Sequence, residues 1–395
     1  MIPDFPARLR QMADVLVRVG VNLQPRQPLL ISEPYEQQGV ARSAEVIVEA
    51  VRHAADDLGS SVEVIWSDGA ALRAMLERDD RIAFQQLVRG NVRRLQQHVE
   101  AGGALMFLTG SQPRVLAGLP AERLTIFNEI NWRQLGPLVQ QLVHGATQWT
   151  LAPAPSPTWA ALTFADLPGE ERLTALWRVV FDALRVDGAD DAVDAWRAHL
   201  AGLEQHAARL NSQRAHTIHY EGDGTDLTID LPRRHHWCTA QLTSAAGVPF
   251  VVNLPTEEIF TAPDRSSAEG VVRVARPVVH AGTTLDGIEL EFRRGRVVRS
   301  SARTGGELLA QLLATDDGAD RLGEVALLAS EFGAAPRDWQ SARPLFHHPL
   351  LDENAACHVA LGEAYPFCHR GWWKRAVNRS LIHVDLPLAA RVAVR

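Results

Sequence analysis

Lysine is almost missing from this 395-residue chain: Lys374 is the only one, and arginine carries the rest of the basic charge. A phosphate loop needs Gly-Lys, and here Trp373 precedes the lysine, while a Schiff-base or pyridoxal enzyme would have to rest on that single residue. Both chemistries are set aside. Cysteine is scarce as well. Cys238, Cys357 and Cys368 are an odd number without Cys-x-x-Cys spacing, which argues against a disulfide framework or a thiolate zinc knuckle and leaves reduced, buried thiols as the expectation. No apolar run approaches membrane-spanning length. The amino-terminal stretch MIPDFPARLRQMADVLVRVG spreads Asp4, Arg8, Arg10 and Asp14 along an amphipathic segment without a signal-peptide core, so a cytoplasmic protein is expected. Forty Lys plus Arg against 47 Asp plus Glu give a net charge of -7 with no long run of one sign, which makes nucleic acid and anionic membranes poor partners.

Familiar catalytic signatures are absent too. Without His-Glu-x-x-His, Gly-x-Ser-x-Gly or a Gly-x-Gly-x-x-Gly after a strand, the one-helix zincin, α/β-hydrolase and dinucleotide-binding readings lose their main support.

What is present is an ordinary globular composition, 46% hydrophobic with 28 Gly and 22 Pro, and room for two domains. To about residue 205, helical and extended patterns alternate. Strand-like runs at 28–31, 61–66 and 104–109 lie between helical runs at 5–19, 41–57 and 82–101, and helical stretches at 169–185 and 190–212 close this half. Parallel strands with crossover helices follow, an open α/β domain over residues 1–205. From 206 to 395 the pattern becomes α+β, with a hairpin around Glu221-Gly222-Asp223-Gly224 and further turn signals at Ala281-Gly282 and Arg294-Gly295. A site in the first domain would use strand ends such as Asp68 and Ser111, although both residue types cap helices.

The second domain is richer in chemistry. Glu257 and Glu258 stand side by side in an extended apolar context, Glu324 heads the run Gly323-Glu324-Val325-Ala326-Leu327-Leu328, and His358 follows Asp352-Glu353-Asn354-Ala355-Ala356-Cys357. Tyr365 comes next, and Leu381-Ile382-His383-Val384-Asp385 puts His383 and Asp385 on one face of a strand. Burying several carboxylates and imidazoles without an ion is costly. Mixed oxygen and nitrogen donors suit zinc, cobalt or manganese, and two adjacent ions can share a carboxylate and acidify a water between them.

These segments also carry a resemblance. Asn253-Leu254-Pro255-Thr256-Glu257-Glu258-Ile259-Phe260-Thr261-Ala262-Pro263, Arg321-Leu322-Gly323-Glu324-Val325-Ala326-Leu327, Asp352 to His358, and Asn378-x-Ser380-x-x-His383-Val384-Asp385 are similar, in this order, to the motifs of the M29 family of aminopeptidase T, S and II type. The resemblance implies a dinuclear metallo-aminopeptidase in the cytoplasm, acting on peptides with a free amino terminus and working as a homodimer. Zinc or cobalt would be its leading metals, with manganese or magnesium as further candidates. It implies Glu258, Glu324, His358, Tyr365, His383 and Asp385 as metal ligands in the second domain. Tyr365 has an alternative role as a donor to the oxyanion, Glu257 is the candidate base, and Asp352 or Glu353 would hold the substrate's α-ammonium unless they cap a helix. Two departures from the family pattern stand out. The loop Cys368-His369-Arg370-Gly371-Trp372-Trp373-Lys374-Arg375 is shorter, and Leu386 to Arg395 replaces the family's run after His-Val-Asp. The second departure raises the alternative of a catalytically impaired relative, a peptide-binding or structural dimer with weakened support around His383 and Asp385.

Overall fold

The computed structural model describes residues 2–110, 118–186, 191–280, 283–371 and 376–395. Ser111, the Ala281-Gly282 turn signal and Trp372, Trp373, Lys374 and Arg375 lie outside the described residues. The chain divides into two compact units, Met1–Ala198 with Gln241–Pro255, and His199–Ala240 with Thr256–Arg395. Among the described residues no helix is long and apolar enough to cross a membrane.

In the first unit four strands, β1 (Leu29–Ser32), β2 (Val62–Val64), β3 (Ala104–Thr109) and β4 (Trp149–Pro153), form a parallel sheet in the order β2-β1-β3-β4. Helix α1 (Phe5–Val15) precedes the sheet, α2 (Glu45–Asp56), α3 (Gly69–Glu77), α4 (Arg81–Glu100) and α5 (Ala121–Val143) make the connections, and α6 (Pro157–Thr163) and α7 (Gly169–Ala183) follow β4. Parallel strands need such crossovers, and strands covered on both faces read as unbroken apolar runs. β3 is such a strand: Leu105 and Phe107 pack with Leu95 and Val99 of α4 and with Leu135, Leu138 and Leu142 of α5, which recur at helical spacing. Asp68 caps α3, its Oδ1 accepting from the Ala71 N–H at 2.9 Å, so this carboxylate has a structural task.

Helix α8 (Ala192–Gln213) leads into the second unit. There β5 (Thr217–Gly222) and β6 (Thr225–Asp230) form the expected hairpin, and the short hairpin of β7 (Gln241–Thr243) and β8 (Pro249–Val251) belongs to the first unit. The chain continues through β9 (Glu258–Thr261), β10 (Glu269–Arg273), β11 (Val278–His280), β12 (Thr283–Leu285), β13 (Glu289–Arg293), β14 (Arg296–Ser301), α9 (Gly306–Leu313) and β15 (Leu322–Leu328). It ends with α10 (Asp338–Ala342), α11 (Pro349–Glu353), β16 (His358–Gly362), β17 (His383–Pro387) and β18 (Ala390–Val394).

Among the described residues two larger antiparallel sheets result, β14-β13-β10-β6-β5-β18 and β17-β16-β15-β9, beside the two-stranded β11-β12. They share one apolar core. Ile259, Val325, Leu327, Val359, Leu361, Val384 and Leu386 of the four-stranded sheet pack with Tyr220, Leu227, Ile229, Leu290 and Phe292 of the six-stranded one. Each such side chain stabilises the fold by roughly 1.5–3 kcal/mol on burial, and together they fix the register, because a slip of one residue would turn every one of them outward. The segment after Asp385, which departs from the family pattern, completes β17 and returns as β18 against β5, with Val392 opposite Tyr220. The fold is thus α/β, with a parallel sheet in the first unit and antiparallel sheets in the second.

Candidate metal centre

The same register that turns the apolar residues inward collects the polar ones on the other face. Glu258 pairs with Leu328, His358 with Ala326, Ala360 with both Glu324 and Asp385, and His383 with Gly362. Residues opposite each other in a ladder share a face, and so do residues two apart. Glu258, Glu324, His358, His383 and Asp385 therefore converge on one side of a single sheet. Ala326 and Ala360, both fully buried, stand among them, and their small side chains leave space between the polar groups.

His358 Nε2 lies 3.5 Å from Glu258 Oε2, 4.0 Å from Glu324 Oε1 and 3.8 Å from Asp385 Oδ1. His383 Nε2 lies 3.3 Å from Glu324 Oε2 and 3.2 Å from Asp385 Oδ1. Each imidazole is oriented from behind by a backbone carbonyl: Nδ1 of His358 faces the Ala356 oxygen at 3.3 Å, and Nδ1 of His383 the Glu363 oxygen at 2.8 Å. Donation from Nδ1–H to those carbonyls leaves the Nε2 lone pairs directed at the carboxylates, the arrangement that metal-binding histidines use. The cluster has depth. The side chains of His358, Glu258 and Glu324 are 2%, 7% and 5% exposed, whereas His383 and Asp385 are 27% and 24% exposed.

The electrostatics of the cluster favour a cation. Burial pushes the Glu258 carboxyl well above the usual range, and Glu353, Glu324 and Asp385 push it further while His358 opposes them. Burial disfavours the charged imidazoles, yet Asp385 and Glu324 hold His383 well above its ordinary value, and Glu258, Asp385 and Glu324 raise His358. Asp385 is lowered despite burial, by His383 and then His358. A divalent cation among these carboxylates would offset their mutual repulsion. Among the described residues, buried Glu258 Oε2, Glu324 Oε2 and Asp385 Oδ1 have no well-aligned hydrogen bond and face the imidazole nitrogens at 3.2–3.5 Å, an expensive condition for carboxylates. Two donors each about 2.1 Å from one tetrahedral ion stand ~3.4 Å apart. The separations above are of that size, and donor atoms of Glu258, Glu324 and His358 all fall within 4.8 Å of one another. The residues fit a divalent ion.

The other sequence candidates are distributed around this set. Tyr365 is at the rim, 36% exposed, its ring 5.3 Å from that of His383 and stacked on Phe367. Although the residue is partly exposed, desolvation and then the Glu324, Glu353 and Asp385 carboxylates raise its phenol above the ordinary value. Glu257 is not gathered with the five: its Oε2 is 3.5 Å from His199 Nε2, and its N–H donates to Asn354 Oδ1 at 2.6 Å. Of the two candidates for the substrate amine, Asp352 spends its carboxylate on the N–H groups of Phe346 and His348, which lead into α11. Glu353 is in the field of Asp385 and Glu324, and burial and those neighbours raise its carboxyl well above the usual range. The carbonyls of Ala356 and Glu363 escaped the sequence reading because no side-chain identity announces them. Ala326 and Ala360 were readable, each two residues from a candidate ligand.

A buried sheet face that gathers carboxylates and carbonyl-oriented imidazoles marks a metal-dependent enzyme. The model of the family described as thermophilic metalloprotease (M29) matches residues 5–393, and the chain belongs to that family. It is 36% identical to aminopeptidase T of Thermus thermophilus, over 96% of this chain and 92% of that protein. With aminopeptidase 2 of Geobacillus stearothermophilus it shares 34% identity, over 97% and 92%. The solved structure of wild-type AmpT from Thermus thermophilus matches with a TM-score of 0.85 at 33% identity, covering 97% of this chain and 93% of that one. The chain is thus a metallopeptidase, a hydrolase whose named relatives are aminopeptidases, and divalent metal ions are its class of cofactor.

Proposed function

We propose that this chain is an aminopeptidase that hydrolyses the first peptide bond of peptides with a free amino terminus, using two divalent ions, zinc or cobalt ahead of manganese or magnesium. The observation that carries the reading is the division of Glu324 between two imidazoles, Oε1 toward His358 and Oε2 toward His383. An inner ion would be held by Glu258, Glu324 and His358, and an outer one by Glu324, His383 and Asp385, with Tyr365 beside it. Such ions polarise a carbonyl and lower the pKa of a bound water. The protein's own groups do the rest. Glu257 is the proposed proton acceptor, reaching the site from beside β9, where its Oε2 lies 3.5 Å from His199 Nε2, itself bonded to the Thr256 carbonyl at 2.8 Å. The Tyr365 phenol, raised by desolvation and by the surrounding carboxylates, can donate to an oxyanion at the rim. Glu353 is the proposed partner of the substrate's α-ammonium. A cytoplasmic homodimer belongs to the same reading. The alternative, an impaired relative that binds peptides or serves as a structural dimer, is separated from it by metal content and turnover.

Acetylating the substrate amine removes the charge that Glu353 would meet. Loss of one partner of a buried charge pair costs about 2 kcal/mol or more, so the acetylated peptide should be cut at least ~30-fold more slowly. The comparison uses leucyl peptides with and without the acetyl group, and equal rates would end the aminopeptidase reading.

Metal and pH should also be coupled. In the metal-free protein Glu258, Glu353, His358 and His383 have folded pKa values raised above their unfolded ones. The folded state then binds more protons, so stability is greatest below the unfolded values and is lost as pH rises through the folded ones. Ion binding displaces those protons and strengthens in the same direction. At one fixed zinc concentration the stabilisation, about 2.7 kcal/mol for each site where that concentration is one hundred times Kd, should therefore be larger at pH 8, where Kd is lower, than at pH 6. Thermal unfolding with and without zinc at both pH values checks this, and a zinc effect that shrinks with rising pH would contradict it.

A further inference from the structure

β17 carries both His383 and Asp385, yet among the described residues it is an edge strand, paired in its sheet with β16 alone. Edge strands are the least constrained part of a sheet, and Leu381, two residues before His383, is 85% exposed. The entry to this strand is nevertheless tied down by a carboxylate far away in sequence. Asp316, in the loop between α9 and β15, accepts from Ser380 Oγ (2.9 Å to Oδ1, 3.1 Å to Oδ2), from the Leu381 N–H (2.6 Å) and from the Gly318 N–H in its own loop (2.9 Å). Ser380 Oγ passes the constraint on by accepting from the Ile382 N–H at 3.2 Å.

The other side of the segment is held as firmly. The Ser380 N–H donates to Glu363 Oε2 at 2.6 Å, and the Glu363 N–H donates to the Ile382 carbonyl at 2.7 Å. Asn378 Nδ2 bridges the carbonyls of Gly318 and Gly362, each at 2.7 Å. The two loops are in such close contact that a Cβ on Gly318 would come within 1.9 Å of the Arg379 carbonyl oxygen. Residues 378–382 are therefore fixed between the Asp316 loop and the Gly362-Glu363 turn, and that turn supplies the carbonyl to which His383 Nδ1 is bound. Asp316 itself stays ionised: burial pushes its carboxyl up, but the Leu381 and Gly318 N–H groups and the Ser380 hydroxyl bring it below its ordinary value. It is a buffer-independent clamp rather than a titrating switch.

We infer that Asp316 is a positioning residue for the outer half of the metal centre: by clamping Ser380 and Leu381 it sets the Nδ1–H bond of His383 to the Glu363 carbonyl and so aims Nε2 at Glu324 and Asp385. Asp316 touches none of the candidate ligands. The inference rests on the reading of His383 as an outer-ion ligand, and His358, whose Nδ1 partner is Ala356 on another segment, lies outside its reach.

The test uses the full chain in wild-type form and as Asp316→Ala, Ser380→Ala and Asp317→Ala. Asp317 is the control: it neighbours Asp316 but is exposed and paired with Arg296 and Arg265. In metal-free protein with 15N-labelled histidine, the Nδ1–H signal of His383, assigned by its loss in His383→Gln, should exchange or broaden away in Asp316→Ala while that of His358 persists. In zinc titrations Asp316→Ala should weaken the outer ion by up to ~10–100-fold, the cost of losing the bond between a ligating histidine and its carbonyl outright, and leave the inner one as in wild type. Ser380→Ala should weaken it less, and Asp317→Ala should match wild type in both measurements. A persistent His383 signal in folded Asp316→Ala, or an Asp317→Ala protein as impaired as Asp316→Ala, would overturn the inference. Wild-type protein that takes up only one zinc would sink the two-ion reading instead, and the metal-free signal would still decide the role of Asp316.

Discussion

Glu324→Gln is expected to release both ions and to lower kcat/KM by about 10³-fold or more, because the Lewis acid and its activated water are worth several kcal/mol to hydrolysis. The expectation follows from the place of Glu324 on β15. It is the carboxylate whose two oxygens face different imidazoles, at 4.0 and 3.3 Å, and it is almost fully buried. A neutral amide of the same shape keeps the packing and removes the charge that both ions would share. Asp385→Asn, by contrast, removes charge from the outer set and should leave an inner ion on Glu258, Glu324 and His358. Elemental analysis of the two variants beside wild type, together with turnover of a leucyl anilide, makes the comparison. Full occupancy in Glu324→Gln would show that this carboxylate is not shared.

Much of this arrangement could be read in advance, and the reason is periodicity. In β15 and β17 the candidate ligands and the core residues alternate strictly, Glu324 and Ala326 against Val325 and Leu327, His383 and Asp385 against Val384 and Leu386. A period of two in the sequence therefore announced both the strand and the face that its polar residues occupy. β3 was legible for a simpler reason, since a short continuous apolar run bounded by Gly103 and Gly110 has few other uses. Other elements were hidden. α5 contains Gly136-Pro137 in its interior, which breaks the local helical signal although the helix runs on to Val143. β4 is only five residues long and ends at Pro153 among further prolines, so nothing local distinguishes it from a loop. The hairpin β7/β8 belongs to the first unit although it falls between β6 and β9, a long-range choice that no window of sequence contains. The same limit applied to the clamp at Ser380, whose partner Asp316 is 64 residues earlier.

The adjacent glutamates give the sharpest remaining expectation. Glu258 opens β9 on the face shared with His358, while Glu257, one residue earlier, turns away and places its carboxylate beside His199 on α8. Neighbours on an extended backbone leave it in opposite directions, so only one of the two can bind an ion without bending the strand. The Glu257 main chain is itself held, its N–H by Asn354 and its carbonyl by the Ala329 N–H, which makes a backbone rotation expensive and leaves rotation of the side chain as its route to the reacting water. Glu258→Gln should accordingly lower metal occupancy together with rate. Glu257→Gln should keep both ions and reduce kcat by roughly 10²–10⁴-fold, the range for losing a general base. The amide can still reach His199, so a role confined to holding that histidine would leave kcat nearly unchanged. If Glu257→Gln turns over at the wild-type rate with its metals in place, Glu257 is not the base, and Glu353, in the field of Asp385 and Glu324, is the next carboxylate to replace.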